Sequence, residues 1–196
     1  MAHTLITRWQ RLFEQAPTGY RPGVTLAHLR RNLGLADCEL LEAGRARFAL
    51  ADASLCFEVH ERAESQWLMH LVLCEFQVQR PALAQGSATL ELQHTGVLRR
   101  TGLRWRLRHG DPALRVQLQQ RLAQDLAVQQ ALMPLDFKRL ALACRDGQWQ
   151  LTLEHMGGSE VVNRMPAFRR YISISPQQRA HLMASLAHFN ALLPCL

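Results

Sequence analysis

The sequence lacks any run of about 18 consecutive apolar residues, the minimum length that a membrane-spanning helix needs. We therefore expect no membrane span. Its first sixteen residues place Arg8 and Arg11 inside the apolar pattern, and they lack the small-residue cleavage site of a signal peptide. These two absences predict a cytoplasmic protein.

Cysteine is scarce and follows no motif. The five cysteines are odd in number, widely spaced and contain no Cys-x-x-Cys pair. Such a set argues for free thiols in a reducing compartment rather than for a disulfide framework. The nearest approach to a metal-binding set is Cys56, Glu58 and His60 with His70 and Cys74. With a turn at 62–65, these two groups fall on different faces of their strands, so we expect no metal site.

Nucleotide-binding and catalytic signatures are also missing. The chain has no P-loop, no dinucleotide fingerprint and no pair of catalytic carboxylates, so we expect no cofactor. One segment, Gly157-Gly158-Ser159 with His155 and Glu160 nearby, is a candidate for hydrolysis. It lacks the Gly-x-Ser-x-Gly pattern of a nucleophile elbow. The sequence therefore favours a protein that is not an enzyme.

Arginine, by contrast, is abundant. Only one of the 23 basic residues is a lysine, Lys138, and the formal net charge is +7. Arginine binds phosphate and carboxylate groups in a bidentate way that lysine cannot match. Coding bias is the simpler explanation of the excess, because the chain is equally rich in Ala, Leu and Gln. The positions of the arginines, rather than their number, must therefore decide whether they bind a partner.

Length and patterning predict one α+β domain over residues 1–196. A chain of 196 residues that is 48% apolar can bury one substantial core. Residues 1–34 are expected to be helical, and residues 38–196 to form an antiparallel meander of about seven or eight strands packed by two long helices. The expected helices cover residues 4–15, 25–34, 111–132 and the segment after Ser175-Pro176.

The strongest local signal is a hairpin at Asp146-Gly147. This dipeptide accepts the positive φ angles of a two-residue turn between alternating strands. The pairing that follows puts apolar side chains on one face and polar ones on the other. The expected pairs are Arg145 with Gln148, Cys144 with Trp149, Leu142 with Leu151, and Leu140 with Leu153.

Period-two alternation begins at residue 38. The expected strands cover residues 38–42, 45–50, 54–60, 66–79 and 86–94, with a turn at 62–65. Residues 67–79 include apolar side chains at both odd- and even-numbered positions, which predicts a central strand covered on both faces. Phe168, Ile172 and Ile174 predict a last strand before the final helix.

The segment 103–108 alternates Leu, Trp and Leu with three arginines. On a strand, these guanidinium groups would lie about 6.5–7 Å apart along one face. That spacing is close to the spacing of successive phosphates, so the stripe could follow a polyanion. The alternative is an outer sheet face that is solvated or paired with Glu58, Glu75 and Glu91.

The C-terminal half contains LDFKRLAL and WQLTLEHMGGSEVVNRMPAFRRYISIS. These segments resemble a family of bacterial proteins of unknown function, and the similarity covers the chain from Arg104 to the C-terminus. The resemblance implies no known activity and supplies no site residues.

Three interpretations of function follow. The first is a non-catalytic binding protein whose arginine-bearing surface engages an acidic protein or nucleic acid. It is motivated by four arginines and no acidic residue after Glu160. The amides of Gly157-Gly158 could also cradle an anion, although a bulge after the hairpin is the plainer explanation of these glycines. The predicted site comprises Arg104, Arg106, Gly157, Gly158, Ser159, Arg164, Arg169 and Arg170.

The second interpretation is a carrier of a small apolar molecule or lipid. Its cavity would lie between the sheet and the C-terminal helix, lined by Met156, Met165, Met183 and Trp149. The third is a hydrolase-like enzyme that uses Ser159 in the Gly-Gly-Ser loop, with His155 and Glu160.

Overall fold

The computed structural model contains the hairpin predicted at Asp146-Gly147. Both turn residues have positive φ, 50° at Asp146 and 70° at Gly147, as the favoured two-residue hairpin turn requires. The four predicted cross-strand pairs are all formed. The six apolar side chains expected on the inner face are all buried. Turn chemistry and side-chain alternation thus define this register together.

The structure describes residues 19–83, 86–96 and 99–196, and the side chain of Arg164 lies outside this description. The helix predicted over residues 4–15 is also outside the described residues. The helices are α1 (Val24–Leu33), α2 (Pro112–Gln124), α3 (Leu126–Leu132) and α4 (Pro176–Leu192), which is followed by a 3-10 turn at Leu193–Cys195. The strands are β1 (Asp37–Glu42), β2 (Arg45–Ala49), β3 (Cys56–Ser65), β4 (Met69–Pro81), β5 (Ala88–Thr95), β6 (Gly102–His109), β7 (Phe137–Arg145), β8 (Gln148–His155), β9 (Ser159–Arg164) and β10 (Ala167–Ile172).

These strands form one antiparallel sheet in the order β1-β2-β3-β4-β8-β7-β5-β6, with β9 beside β4 and β10 beside β9. The predicted α+β class and antiparallel sheet are confirmed. A simple meander holds only from β1 to β4, because β8 rather than β5 pairs next to β4. The sheet has more strands than predicted, since β9 occupies a stretch that the sequence analysis assigned to the Gly-Gly-Ser loop. The last strand predicted from Phe168, Ile172 and Ile174 corresponds to β10, which ends at Ile172.

The turn predicted at residues 62–65 was wrong. Strand β3 continues to Ser65, which pairs with His70, and the turn falls at residues 66–68. Arg62 and Glu64 point to one face and bind each other and neighbouring strands. Their polarity marks a strand face that bears ion pairs, a pattern that resembles a turn in sequence.

Strand β4 is covered on both faces, as predicted. Side chains of both parities are buried from His70 to Val78, except for the partly exposed Glu75. One half of this strand pairs with β8 and the other half with β9. Strands β8 and β9 therefore pair with successive halves of β4, on the same side of that strand.

A large bulge separates β8 from β9 at Gly157-Gly158. Five residues, 155–159, lie opposite two residues of β4, and Gly158 has a φ of 83°. A Cβ atom at Gly158 would lie 3.0 Å from the Leu29 side chain and 3.2 Å from that of Ile174. Glycine is therefore needed here both for the backbone conformation and for the close approach of α1.

The long helix predicted over residues 111–132 is two helices. Asp111 caps α2, accepting a hydrogen bond from the Ala113 N–H at 2.8 Å. The chain leaves helical geometry at Asp125, whose carboxylate accepts a hydrogen bond from the Val128 N–H at 3.0 Å and so starts α3. An aspartate inside an apolar helical pattern acts here as a second N-cap.

The helices pack on one face of the sheet and share one core with it. This core includes buried side chains of α1, α2, α3 and α4 together with the inner-facing residues of β2–β8. The opposite face, which we call the outer face, carries mainly polar and charged side chains. No helix in the described part of the chain is long and apolar enough to cross a membrane. Within those same residues, no group of three or more potential ligands could hold a metal ion.

Candidate basic groove and the predicted site residues

Arg104 and Arg106 lie on the outer face at the β6 edge of the sheet. They are exposed and stand opposite Gln93 and Glu91 on β5. Neither forms a hydrogen bond or ion pair with any residue that the structure describes. Glu91 is instead bound by Arg108, at 2.6 Å. Two guanidinium groups of the predicted stripe are therefore available, and the third is neutralised.

Most other arginines on the outer face are paired with carboxylates. Arg62 binds Glu154 at 2.8 Å and also contacts Glu64 and Glu75. Glu154 is 1% exposed and is further approached by Arg139 at 3.4 Å. Further pairs join Arg45 and Arg47 to Glu58, and Lys138 to Glu64. The outer face is therefore a mosaic of both charges rather than a uniformly basic stripe.

This pairing lowers the pKa values of two carboxylates, Glu58 and Glu64. Burial alone would raise the pKa of Glu58, but hydrogen bonds from Arg45, Arg47 and His60 outweigh it and lower the pKa overall. The hydrogen bond from Lys138 and the contact with Arg62 lower the pKa of Glu64. Both groups are therefore held in the charged form.

Arg169 and Arg170 are neighbours on β10 and point to opposite faces. Arg169 lies on the helix side, 3.2 Å from the buried Glu160, and donates a hydrogen bond to the Gly19 carbonyl at 2.7 Å. Arg170 is exposed on the outer face, where no described residue pairs with it. Arg164 belongs to β9 by its backbone, and the prediction for its side chain lies outside the described residues.

Gly157, Gly158 and Ser159 are buried where the bulge meets α1. The Gly158 N–H donates a hydrogen bond to the Ile172 carbonyl at 2.6 Å, so this amide is not free to hold an anion. The Ser159 hydroxyl donates to the Met156 carbonyl. Among the residues the structure describes, no hydrogen bond joins Ser159 to His155 or Glu160. The arrangement supplies Ser159 with no general base.

His155 is held by a separate set of contacts. Its Nδ1 lies 3.2 Å from the Gly157 carbonyl and its Nε2 lies 3.0 Å from Gln178 Oε1. Gln178 is itself fixed, because its side-chain amide donates to the Pro134 carbonyl at 2.7 Å. The eight predicted site residues thus fall into three separate places: the β6 edge, strand β10 with the end of β9, and the buried bulge.

The structure brings together a basic region that the sequence analysis missed. Residues 19–36 and 161–196 contain no aspartate or glutamate, and they pack against each other. The Asn32 side chain exchanges two hydrogen bonds with the backbone of Ile174, at 2.6 and 3.1 Å. The rings of His28 and Tyr171 stack at 5.1 Å. The absence of acids from residues 19–36 was the signal that could have located this surface.

We call Arg21, His28, Arg30 and Arg31 the α1 basic surface. The three arginines are exposed, and none forms an ion pair with a described carboxylate. Arg31 lies 3.0 Å from the His28 ring nitrogen Nδ1. Arg30 and Arg31 occupy the last turn of α1, where cations are favoured by the helix dipole.

The carboxylates closest to α1 are used to hold it in place. Glu61 accepts hydrogen bonds from the N–H groups of Gly23 and Leu26, at 2.8 and 2.6 Å. It also accepts one from the Tyr20 hydroxyl at 2.8 Å, and burial together with Glu61 raises the pKa of Tyr20. Thr25 lies within the helix and donates a hydrogen bond to Glu160 at 3.1 Å. These acids do not neutralise the exposed arginines.

An apolar groove of about 610 Å³ runs between α1 and the β1–β2 hairpin. Its apolar side chains come from Pro22, Val24, Leu26, Ala27, Cys38, Leu40, Ala43 and Ala46. His28, Arg30 and Arg31 also line it, and Leu40 is 67% exposed within it. Burial raises the pKa of the Cys38 thiol, and the nearby charge of Arg30 opposes this shift. The groove therefore combines an apolar wall with unpaired positive charge.

A second pocket, of about 380 Å³, lies between β6 and the helices α2, α3 and α4. Trp105 and Phe189 meet there edge to face, with ring centroids 6.3 Å apart. At the break between α2 and α3, His188 lies 3.3 Å from Asp125. Burial lowers the pKa of His188, and Asp125 opposes that shift. The four residues expected to line such a cavity, Met156, Met165, Met183 and Trp149, are not among the residues that line this pocket.

These features define an α+β protein with one antiparallel sheet, helices on one face and a basic groove beside α1. Residues 31–193 match the model of a family described as a protein of unknown function, DUF3156, and the chain belongs to this family. The resemblance expected from Arg104 onward is thus confirmed and begins earlier, at Arg31 in α1. Comparison with curated proteins and with solved structures finds no match.

Proposed function

We propose that this protein is a non-catalytic binding protein that holds an acidic, partly apolar segment of a partner protein in the groove between α1 and β1–β2. One observation carries the proposal: Arg30 and Arg31 are exposed and line an apolar groove without acidic partners among the described residues. Exposed guanidinium groups beside an apolar wall match a segment that presents carboxylates next to aliphatic side chains.

The groove is also preorganised. Glu61 holds the first turn of α1 through the Gly23 and Leu26 amides. At the other end, Asn32 and Arg179 join α1 to the start of α4, with Arg179 donating to the Asn32 carbonyl at 3.1 Å. A wall that is already fixed loses little conformational freedom when a partner binds.

Nucleic acid is the alternative acidic partner. Single-stranded nucleic acid is held by aromatic side chains on which bases stack, together with positive charge. The apolar lining of the groove is aliphatic, and His28 is the one aromatic ring among the lining residues that the structure describes. The lining therefore favours a polypeptide, and a nucleic acid serves as the comparison in the test.

The test measures fluorescence polarisation with a labelled helical peptide that has Leu on one face and Glu on the other. Arg30 and Arg31 would each form an exposed ion pair with the peptide, worth about 0.7 kcal/mol. Loss of both pairs would raise Kd about tenfold. We expect the double variant Arg30→Gln/Arg31→Gln to weaken binding by about that factor, and added salt to weaken binding to the native protein.

The matched control is Arg104→Gln/Arg106→Gln, which removes the same charge from the β6 edge. Equal losses in the two double variants would show that net charge, and not the groove, binds the peptide. A peptide with Gln in place of Leu should bind less tightly. Tighter binding of single-stranded DNA than of the Leu/Glu peptide would assign the surface to nucleic acid instead.

A carrier of a small apolar molecule is the second candidate, favoured by the pocket between β6 and the helices. Its volume of about 380 Å³ falls within the range of ligand sites, and mostly apolar walls with a few polar groups are typical of them. Val128→Trp should fill the pocket and abolish binding of a fluorescent fatty-acid analogue. Unchanged binding in this variant, with the fold intact by circular dichroism, would remove this candidate.

A further inference from the structure

Two neighbouring turns expose large apolar side chains at one end of the sheet. In the turn between β3 and β4, Trp67 is 93% exposed and Leu68 is 54% exposed. At the β9–β10 turn, Met165 is 77% exposed and Phe168 is 46% exposed. We call these four residues the hairpin tip.

Strand pairing places the two turns side by side. Met69, at the start of β4, pairs with Asn163 on β9, and Asn163 pairs with Phe168 on β10. Adjacent strands lie about 4.8 Å apart, so the two turns project from neighbouring positions. Single exposed apolar residues are normal on protein surfaces, whereas a contiguous group marks a site of interaction.

The charges around the hairpin tip are positive or neutralised. The nearest acid in the β3–β4 hairpin, Glu64, is bound by Arg62 and by Lys138 at 2.9 Å. Arg170 shares a strand face with Phe168 and has no carboxylate partner among the described residues. Residues 161–196 add no acid at all.

We propose that the hairpin tip inserts into the interface of an anionic membrane. Trp and Phe favour the boundary between headgroups and acyl chains, and a basic residue near an anionic leaflet is attracted to it. Apolar side chains on projecting turns, with unpaired positive charge behind them, fit a flat anionic surface. This surface is separate from the groove beside α1 and does not rest on the proposed function.

The experiment is co-sedimentation of the full chain with phosphatidylcholine vesicles that contain or lack phosphatidylglycerol. We expect binding to the anionic vesicles, weaker binding to the zwitterionic ones, and loss of binding as salt rises. The quadruple variant Trp67→Ser/Leu68→Ser/Met165→Ser/Phe168→Ser should bind at least about tenfold more weakly. Arg170→Gln should weaken binding less and reduce its salt dependence.

The matched control is Leu83→Ser/Leu126→Ser, which removes side chains that are 78% and 67% exposed away from these two turns. It should bind vesicles as the native protein does. All substituted positions in both variants are surface-exposed, and circular dichroism checks that each variant is folded. The tip variant should still bind the acidic Leu/Glu peptide, which separates this proposal from the groove.

Three results would overturn the proposal. The native chain could fail to sediment with anionic vesicles, or the tip and control variants could bind them equally well. The third result would be a dimer of the native chain in size-exclusion chromatography. The tip variant would abolish this dimer but bind vesicles as the native chain does. That outcome would assign the hairpin tip to contact between two copies of the chain.

Discussion

The outer sheet face and the surface around α1 carry arginine in different surroundings. On the outer face, ion pairs engage Arg45, Arg47, Arg62, Arg108 and Arg139. Around α1, Arg21, Arg30 and Arg31 have no such partner among the described residues, because the acids that contact α1, Glu61 and Glu160, are bound by other groups. The two regions show that the availability of an arginine depends on the acids that the fold places near it.

Strand geometry explains the difference. On a sheet, side chains directly across from each other lie about 4.5–5.5 Å apart, so acids and bases on one face meet across strands. Arg47, for example, stands opposite both Glu39 and Glu58. A short helix packed through its apolar side directs its remaining residues to solvent. Its charges stay free unless a neighbouring segment supplies an acid.

The largest effect that tests this comparison is expected from Arg62→Ala. It removes the closest partner of Glu154, which is 1% exposed and, within the described part of the chain, then keeps only the ion pair with Arg139 at 3.4 Å. A buried carboxylate that loses its partner destabilises the fold by about 3 kcal/mol. Urea unfolding followed by circular dichroism measures the change.

Arg106→Ala is the control for that experiment, because it removes an exposed arginine of the same face that has no ion pair among the described residues. It should change the free energy of unfolding by less than about 0.5 kcal/mol. Equal effects of Arg62→Ala and Arg106→Ala would mean that the ion-pair mosaic does not hold the outer face.

A smaller loss is expected on the α1 side from Glu61→Ala. The change frees the Gly23 and Leu26 amides and the Tyr20 hydroxyl, and losing such a cap lowers the free energy of unfolding by about 2 kcal/mol. Hydrogen exchange should speed up in α1 before it does in β4. Glu39→Ala, at an acid that is 65% exposed, should leave exchange in α1 unchanged.

The sequence was sufficient for features fixed by neighbours in the chain. The Asp146-Gly147 turn, the alternation of β5 and β6 and the start of a helix at residues 111–112 all depend on residues a few positions apart. The turn at 62–65 was misplaced because paired charges on a strand face have the composition of a turn. The bulge at Gly157-Gly158 hid β9 because it interrupts the period of two.

The candidate groove could not be predicted from the sequence, because the segments that form it are far apart in the chain. Glu61 caps a helix that begins 37 positions earlier in the sequence, and Asn32 binds Ile174 across 142 positions. The arginine pair of α1 was visible in the sequence, but the acid-free stretch around it was not recognised. The pairing of Arg169 with the buried Glu160, nine positions away, was missed for a different reason, because it depends on the β9–β10 hairpin and β9 was not predicted.

Lowering the pH should destabilise the ion pairs of the outer face more than the contacts around α1. Glu64 has a pKa below its usual value of 4.5, so it contributes stability above that pH and loses this contribution as pH falls through the lowered pKa. The loss for this partly exposed group should be about 1 kcal/mol or less. Urea unfolding at neutral pH and near pH 3 should show a smaller difference in Glu64→Gln than in the native protein. A Glu64→Gln variant with an unchanged pH dependence would contradict this assignment.

The smallest expected effect contrasts one arginine from each region. Arg108→Gln breaks the pair with Glu91 and should lower the free energy of unfolding by about 0.5 kcal/mol, a difference that high salt removes. Arg31→Gln removes a charge that has no acidic partner among the described residues. Relief of the repulsion from Arg30 should offset the weak helix-dipole interaction that is lost, so stability should stay nearly unchanged. Urea unfolding of both variants at low and high salt measures these changes. An equal loss in Arg31→Gln would mean that α1 arginines are neutralised within the protein, and the groove would then have no free charge to offer a partner.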